Sequence, residues 1–450
     1  MKNHKPKLLF LVLIIPFLFS FISPSNEISN ISKLDTGINI LQSGNSKFLT
    51  ISDVHLNVMA KEVSYGCDTG MDLWAIAQAK FDSLIITEKP NFVLYLGDLP
   101  VHAGQSSPCV NADNYIHDGV GTVLEGLRTI AEKRKIPLLY LPGNNDGYGG
   151  DYSSFTDSIN TTAKTPFTQD PAGLKEWPMI NTGNQASLIN GNQEFGFFSA
   201  YPLGKAKKGV KALRTIMLNT VIFTAQGTWS TYQPKDGVSQ QDAGIIQINW
   251  LKKELAAAAT SNEAVLIAMH IPPGAGSYNG SPNWNQALLY IDDQGNHSTF
   301  DTQFNQLVKK YQHNIVGILT SHTHTDGLKR VIDGDKVIEL TVSTPGISVN
   351  HKNNPGMKVF EYNNDFELMD FTTYYSTPES KYWGNKRYTF SQNYGCSNSD
   401  TMLSCIQTLT NNDPQGTQSS IVKLVLQILY VISPQGSTTF NPTALDIVVK

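Results

Sequence analysis

The chain reads as an α/β protein, and three observations carry that reading. Short apolar runs alternate with longer stretches of helical periodicity. The 450 residues are 40% apolar and only 16% charged, enough apolar side chain to bury a sizeable core. The early apolar runs also end in polar donors, and the carboxyl ends of strands are where open α/β sheets collect their ligands.

The elements follow in order. "KFLTISD" (47–53) reads as a buried strand, 71–88 has helical periodicity, and "NFVLYLGD" (91–98) is a second strand. Residues 119–135 read as helix and "IPLLYLPGN" (136–144) as a third strand. Further strands are expected at 213–219, 264–270, 315–320, 337–343 and 358–363, with helices at 244–259 and 302–312. Two regions rich in Gly, Ser, Thr, Asn and Pro, 148–195 and 272–298, read as long loops, which are usually lids or binding surfaces.

The ends of the chain read differently. Lys2, Lys5 and Lys7 precede an apolar run over 8–22, and Ser23, Pro24 and Ser25 follow, the layout of a secretory signal peptide over 1–25. The run is short for a membrane span, and an uncleaved anchor is the alternative. A second apolar run, 421–432, is also short and contains Lys423, so it reads as a core helix in a C-terminal extension over 376–450. Export puts the four cysteines in an oxidising compartment. Pairing by proximity gives Cys67–Cys109 and Cys396–Cys405, with the other two connectivities open. Glycosylation sequons stand at Asn30, Asn160, Asn279 and Asn296. The net charge is −4 with no long basic run, so nucleic-acid binding by electrostatics is not expected.

The strand ends carry the chemistry. "SDVH" supplies Asp53 and His55, "LGD" supplies Asp98, and "PGNND" supplies Asn144, Asn145 and Asp146. "AMH" supplies His270, and "SHTH" supplies His322 and His324, which an extended segment points the same way. Imidazole and carboxylate donors without sulfur suit zinc, manganese or iron. The seven donors Asp53, His55, Asp98, Asn144, His270, His322 and His324 are too many for one zinc, and a carboxylate can bridge two ions roughly 3.5–4 Å apart.

The ordered set Asp-x-His, Gly-Asp, Gly-Asn-x-Asp, His and His-x-His resembles the calcineurin-like metallophosphoesterases over roughly 47–374. "GDLPVH" (97–102) and "NNPGMKVFEY" (353–362) are similar to segments of acid sphingomyelinase and its phosphodiesterase-like relatives. The resemblance implies a four-layer α-β-β-α sandwich with a catalytic domain over 45–375 and a helical C-terminal extension. It implies two divalent ions, zinc in most such proteins. One takes Asp53, His55, Asp98 and His324; the other takes Asp98, Asn144, His270 and His322. The implied activity is hydrolysis of a small phosphodiester or phosphoanhydride by metal-activated water in a secreted or lysosome-like setting.

The chain departs from the common pattern at one place. Asn145 stands where most relatives have a histidine near the leaving group, and an amide delivers no proton at useful pH. The matching histidine of the sphingomyelinase-like group makes His102 the expected replacement. Asn145 also leaves room for polyphosphate, since endopolyphosphatases that resemble this family have a similar Gly-Asn-Asn-Asp segment; phosphomonoester hydrolysis and a catalytically weakened binding glycoprotein are the remaining alternatives. A purple acid phosphatase is not expected, because Pro100 and Val101 stand where those enzymes carry a metal-bound tyrosine. Trp177, Tyr278 and Trp284 in the two loops are placed either to stack on a nucleotide base or to pack the loop. Peripheral membrane contact stays open, and the sequence gives no reading of oligomeric state.

Overall fold

The structure, a computed structural model, describes residues 45–147, 151–155, 178–206, 209–224, 238–276, 280–412 and 446–449. The leader over 1–25, the sequons at Asn30, Asn160 and Asn279, Trp177, Tyr278, most of 148–177 and the 421–432 run lie outside these residues.

The chain builds one sheet, then a second, then returns to the first. β1 (Ser46–Ile51), α1 (Met71–Glu88), β2 (Val93–Tyr95), α2 (Ile116–Arg134) and β3 (Leu138–Tyr140) form two parallel crossovers. β4 (Met179–Asn181) adds antiparallel to β3. The second sheet opens with β5 (Ser187–Asn192), β6 (Phe197–Tyr201) and β7 (Leu213–Leu218), an antiparallel run. Helix α3 (Gln240–Thr260) leads to β8 (Ala264–Met269), parallel to β7. A hairpin, β9 (Leu289–Ile291) and β10 (His297–Thr299), precedes α4 (Phe300–Tyr311) and β11 (Ile315–Thr320), which lies parallel to β8. β12 (Gly327–Asp333) and β13 (Lys336–Ser343) are antiparallel to each other, with β13 against β11.

β14 (Gly356–Tyr362) then pairs with β1, followed outward by β15 (Leu368–Tyr375) and β16 (Arg387–Thr389). Helices α5 (Phe390–Tyr394) and α6 (Met402–Asn412) follow, and β17 (Asp446–Val448) closes on β12. The sheets therefore have seven and eight strands among the described residues.

Period-two alternation stacks these elements into four layers. Val93 and Tyr95 of β2 face Phe81 of α1 and Leu127 of α2, while Leu94 between them faces Leu266, Leu319 and Val342 of the other sheet. Ile216, Ile267 and Ile318 of the second sheet face Leu251 and Leu255 of α3 and Phe304 of α4. This is an α-β-β-α sandwich. The C-terminal segment contributes α5 and α6, as expected, and also an edge strand to each sheet. Among the described residues no helix is long and apolar enough to cross a membrane. The disulfides are Cys67–Cys109 and Cys396–Cys405.

Two loop expectations need correction. Residues 179–192 hold β4 and β5, and 289–299 hold the β9–β10 hairpin. β5 is an edge strand whose side chains are mostly exposed, so backbone pairing forms it without any apolar alternation to betray it. Trp284 packs its loop: it is buried against Phe223 and Phe304, ring centroids 4.8 and 5.6 Å away, and its Nε1 donates to the Ile271 carbonyl.

Candidate metal centre

Parallel pairing puts the carboxyl ends of β1, β2 and β3 at one end of the first sheet, and those of β8 and β11 at one end of the second. Asp53 and His55 follow β1, Asp98 follows β2, Asn144 follows β3, His270 follows β8, and His322 and His324 follow β11. Five of these residues have left-handed backbone: φ is 47° at Asp53, 43° at His55, 61° at Asp98, 73° at His322 and 57° at His324. Side chains rarely adopt that region, and clusters of it mark sites whose surroundings enforce it.

Glycines provide the room. A Cβ on Gly143 would lie 2.2 Å from Asp98 Oδ1, and one on Gly346 would lie 2.9 Å from the Asp53 Cβ and 3.2 Å from the His324 Cβ. The three turns can approach only without side chains at those positions.

The donors converge on Asp98. His55 Nε2 lies 3.3 Å and His270 Nε2 3.1 Å from Asp98 Oδ2. Asp53 Oδ1 lies 3.6 Å from His324 Nε2 and 3.8 Å from His270 Nε2. Two groups compact enough to hold an ion share Asp98: Asp53, His55 and Asp98, and Asp98, His270 and His322. A third group is His55, His102 and His324. Both Asp53 oxygens, His55 Nε2, His270 Nε2 and Asn144 Oδ1 are buried without a hydrogen-bond partner among the described residues. Buried lone pairs left this way are costly unless a cation takes them, so the donor set fits divalent metal.

The surrounding bonds aim these donors. His55 Nδ1 sits 2.8 Å from the Pro100 carbonyl and His270 Nδ1 2.7 Å from the Leu96 carbonyl, which makes each Nδ1 the donor and turns each Nε2 inward. Asp146 is no donor to the centre. Its Oδ2 accepts the Asp98 and Gly143 amides at 2.8 and 2.6 Å, and its Oδ1 accepts the Leu99 amide at 2.8 Å. It thereby ties the turn after β2 to the turn after β3. Asn144 donates Nδ2 to Asp151 Oδ1 at 2.7 Å, leaving its own Oδ1 directed elsewhere. Asn145 donates its amide N–H to Asp98 Oδ1 at 2.8 Å and its side-chain Nδ2 to Asp98 Oδ2 at 3.0 Å.

The protonation pattern follows from crowding. Burial opposes charging His55 and His270, yet the Asp98 carboxylate raises them to about 10 and about 9. The same contacts, against burial, hold Asp98 well below the carboxylate range. Burial pushes Asp53 up to about 6, with the charge of Asp98 adding to it. Burial and the charge of His270 lower His322 to about 3, and burial and His351 lower His324 well below its usual value. Cationic charge is thus concentrated around Asp98, where divalent ions would otherwise supply it.

His102 lies at the rim, its side chain 27% exposed, stacked on His55 with ring centroids 3.9 Å apart. Asp68, fully buried, faces its Nδ1 at 2.9 Å and accepts its backbone N–H at 2.8 Å. Burial opposes the Asp68 charge, but these bonds keep its carboxyl below the usual range. Sequence reasoning missed Asp68, and also Asp151 and His351, whose ring lies 4.4 Å from that of His324. A signal for Asp68 did exist. It follows Cys67, and pairing with Cys109 draws it to the loop that carries His102.

Residues 46–326 match the calcineurin-like phosphoesterase family, and the chain belongs to that family. Among curated proteins it is similar to acid sphingomyelinase-like phosphodiesterase 3b of Mus musculus, 24% identical over 69% of this chain and 61% of that protein. The Homo sapiens protein of the same name is 25% identical over 69% of this chain and 62% of its own length. Sphingomyelinase phosphodiesterase C of Dictyostelium discoideum is 25% identical over 70% and 63%. The chain thus spans less than two thirds of the length of these relatives.

Proposed function

We propose that the protein is a dinuclear divalent-metal phosphodiesterase, with zinc as the resident metal. The observation that supports this reading is that Asp53, His55, Asp98, His270, His322 and His324 fall into overlapping groups that could hold an ion, two of them sharing Asp98. Several of these residues have buried donor atoms unpartnered among the described residues, as does Asn144 at Oδ1. One ion would take Asp53, His55, Asp98 and His324, and the other Asp98, Asn144, His270 and His322. When bound, two such ions neutralise phosphoryl charge and lower the pKa of water toward ~7.

The chain's own residues do the rest. Asp98, held by both Asn145 bonds, would be the donor common to the two positions. Asp53 supplies a second buried carboxylate. His102 is oriented by Asp68 on its Nδ1 side, and it would give a proton from Nε2 to the departing oxygen in its doubly protonated form. An acid already aimed by a carboxylate favours esters with alkoxide leaving groups over anhydrides, whose phosphate departs with little help.

The sphingomyelinase-like names of the relatives support a phosphodiester, of nucleotide or phospholipid-headgroup type, as substrate. Two disulfides support a secreted or lysosome-like setting, consistent with the leader read over 1–25. The test is a panel of bis-p-nitrophenyl phosphate, p-nitrophenyl phosphate, ATP and polyphosphate on metal-analysed protein. The diester should lead. Preference for polyphosphate would replace this reading with the anhydride one, and no turnover of any phosphoester would leave a binding protein.

A further inference from the structure

The four histidines of the centre are not aimed by the same means. His55 and His270 each have a backbone carbonyl on Nδ1. His324 Nδ1 is buried with no hydrogen-bond partner among the described residues. The direction of the His324 ring therefore rests on its ring contacts with His55 and His351, 5.0 and 4.4 Å between centroids, and on its backbone, which has left-handed φ at both His322 and His324. A loop in that conformation keeps it only if its flanks are fixed.

One flank is fixed by Gly346, whose N–H donates to the His324 carbonyl at 3.1 Å. The other is fixed by Asp326, two residues beyond His324. Asp326 Oδ1 accepts the Lys358 ammonium and the Gly327 amide, the latter at 2.9 Å. Its Oδ2 accepts the Thr373 hydroxyl at 2.7 Å and the Tyr388 hydroxyl. The Lys358 ammonium also lies 3.6 Å from the centre of the Phe371 ring. Lys358, Thr373 and Tyr388 come from β14, β15 and β16, all in the first sheet, whereas the loop emerges from β11 in the second. All four residues are buried.

We propose that Asp326, with Lys358, Thr373 and Tyr388, is the positioning device of the His322–His324 loop, so that metal binding depends on the segment holding β16. The inference rests on the dinuclear reading above. A buried ion pair is weak evidence for stability, because an apolar cluster of equal volume often serves as well. This one instead saturates both oxygens of a carboxylate adjoining two metal donors, and it spans the two sheets that the centre joins. Such saturation fixes geometry, and supports of this kind are typically worth 10–100-fold in metal affinity.

The test uses the full chain, stripped with a chelator and titrated with zinc against a chromophoric competitor. Tyr388→Phe removes one bond and keeps the ion pair. The double variant Asp326→Asn with Lys358→Met removes both charges without stranding either. Ile338→Val in β13 serves as a control that lowers the melting temperature away from the loop. Wild-type protein should take up two equivalents. Both loop variants should bind both equivalents about 10-fold more weakly, since the loop carries a donor to each, and the control should bind both as wild type does. Unchanged affinity in the loop variants, or an equal loss in Ile338→Val, overturns this inference alone. Wild-type protein that takes up no ion overturns the dinuclear reading, and the inference with it.

Discussion

The half of the centre held at its side chains and the half carried on the loop after β11 solve one problem in two ways. His55, His270 and Asp98 are locked at the side chain: the two histidines by carbonyls on Nδ1, Asp98 by both Asn145 bonds, and the Asp98 turn by Asp146. After β11 the lock is on the backbone, at Asp326, while His324 carries no side-chain support on Nδ1 among the described residues. Donors held bond by bond tolerate little change at the donor itself. Donors held through a loop are sensitive to residues that never approach the metal.

The largest effect should separate the shared carboxylate from everything else. Asp98→Asn removes the charge common to both halves, and activity should fall on the order of 10³-fold, the loss of several kcal/mol of electrostatic stabilisation. Steady-state hydrolysis of bis-p-nitrophenyl phosphate measures it. Retention of most activity would mean the halves do not share this residue.

His102 sharpens the comparison, because it stacks on His55 of the side-chain-held half at 3.9 Å and stands 6.2 Å from the His324 ring of the loop-held half. His102→Ala should cost about 10²-fold on a diester with an alkoxide leaving group, within the usual range for a lost general acid, and far less on a p-nitrophenolate ester. Equal losses on both substrates would show that His102 acts on the metals or on the fold. Asp68→Asn should reproduce the same leaving-group dependence at about 10-fold, with zinc content unchanged.

The smallest expected effect concerns stability beneath the loop-held half. Glu339 of β13 is buried, and burial raises its carboxyl to about 8; Oε1 accepts the Leu340 amide, while Oε2 has no partner among the described residues. A carboxyl raised in the folded state binds its proton more tightly there than in the unfolded chain. Its contribution is therefore present below the unfolded pKa near 4.5 and is lost as pH rises toward about 8. The slope is at most about 1.4 kcal/mol per pH unit. Glu339→Gln should flatten the decline of melting temperature between pH 5 and pH 8. An unchanged profile would show that Glu339 does not titrate in that window.

The sequence made the donors legible because each follows an apolar strand, and strand periodicity is its strongest signal. Helix α1 was expected over its observed span for the same reason, since Leu73, Trp74, Ala77, Phe81 and Leu84 recur on one face. What stayed hidden was held by contacts between distant segments. Asp326 reads as a turn residue until Lys358, Thr373 and Tyr388 are brought around it. Asn145 reads as a lost acid until its amide is found on Asp98. β5 escaped because an exposed edge strand needs no apolar pattern.

The central claim is that Asp98 lies between two divalent ions, and anomalous diffraction from zinc-loaded crystals tests it most directly. Two anomalous peaks roughly 3.5–4 Å apart, flanking the Asp98 carboxylate, are the predicted result. A single peak, or peaks away from Asp98, would contradict the account.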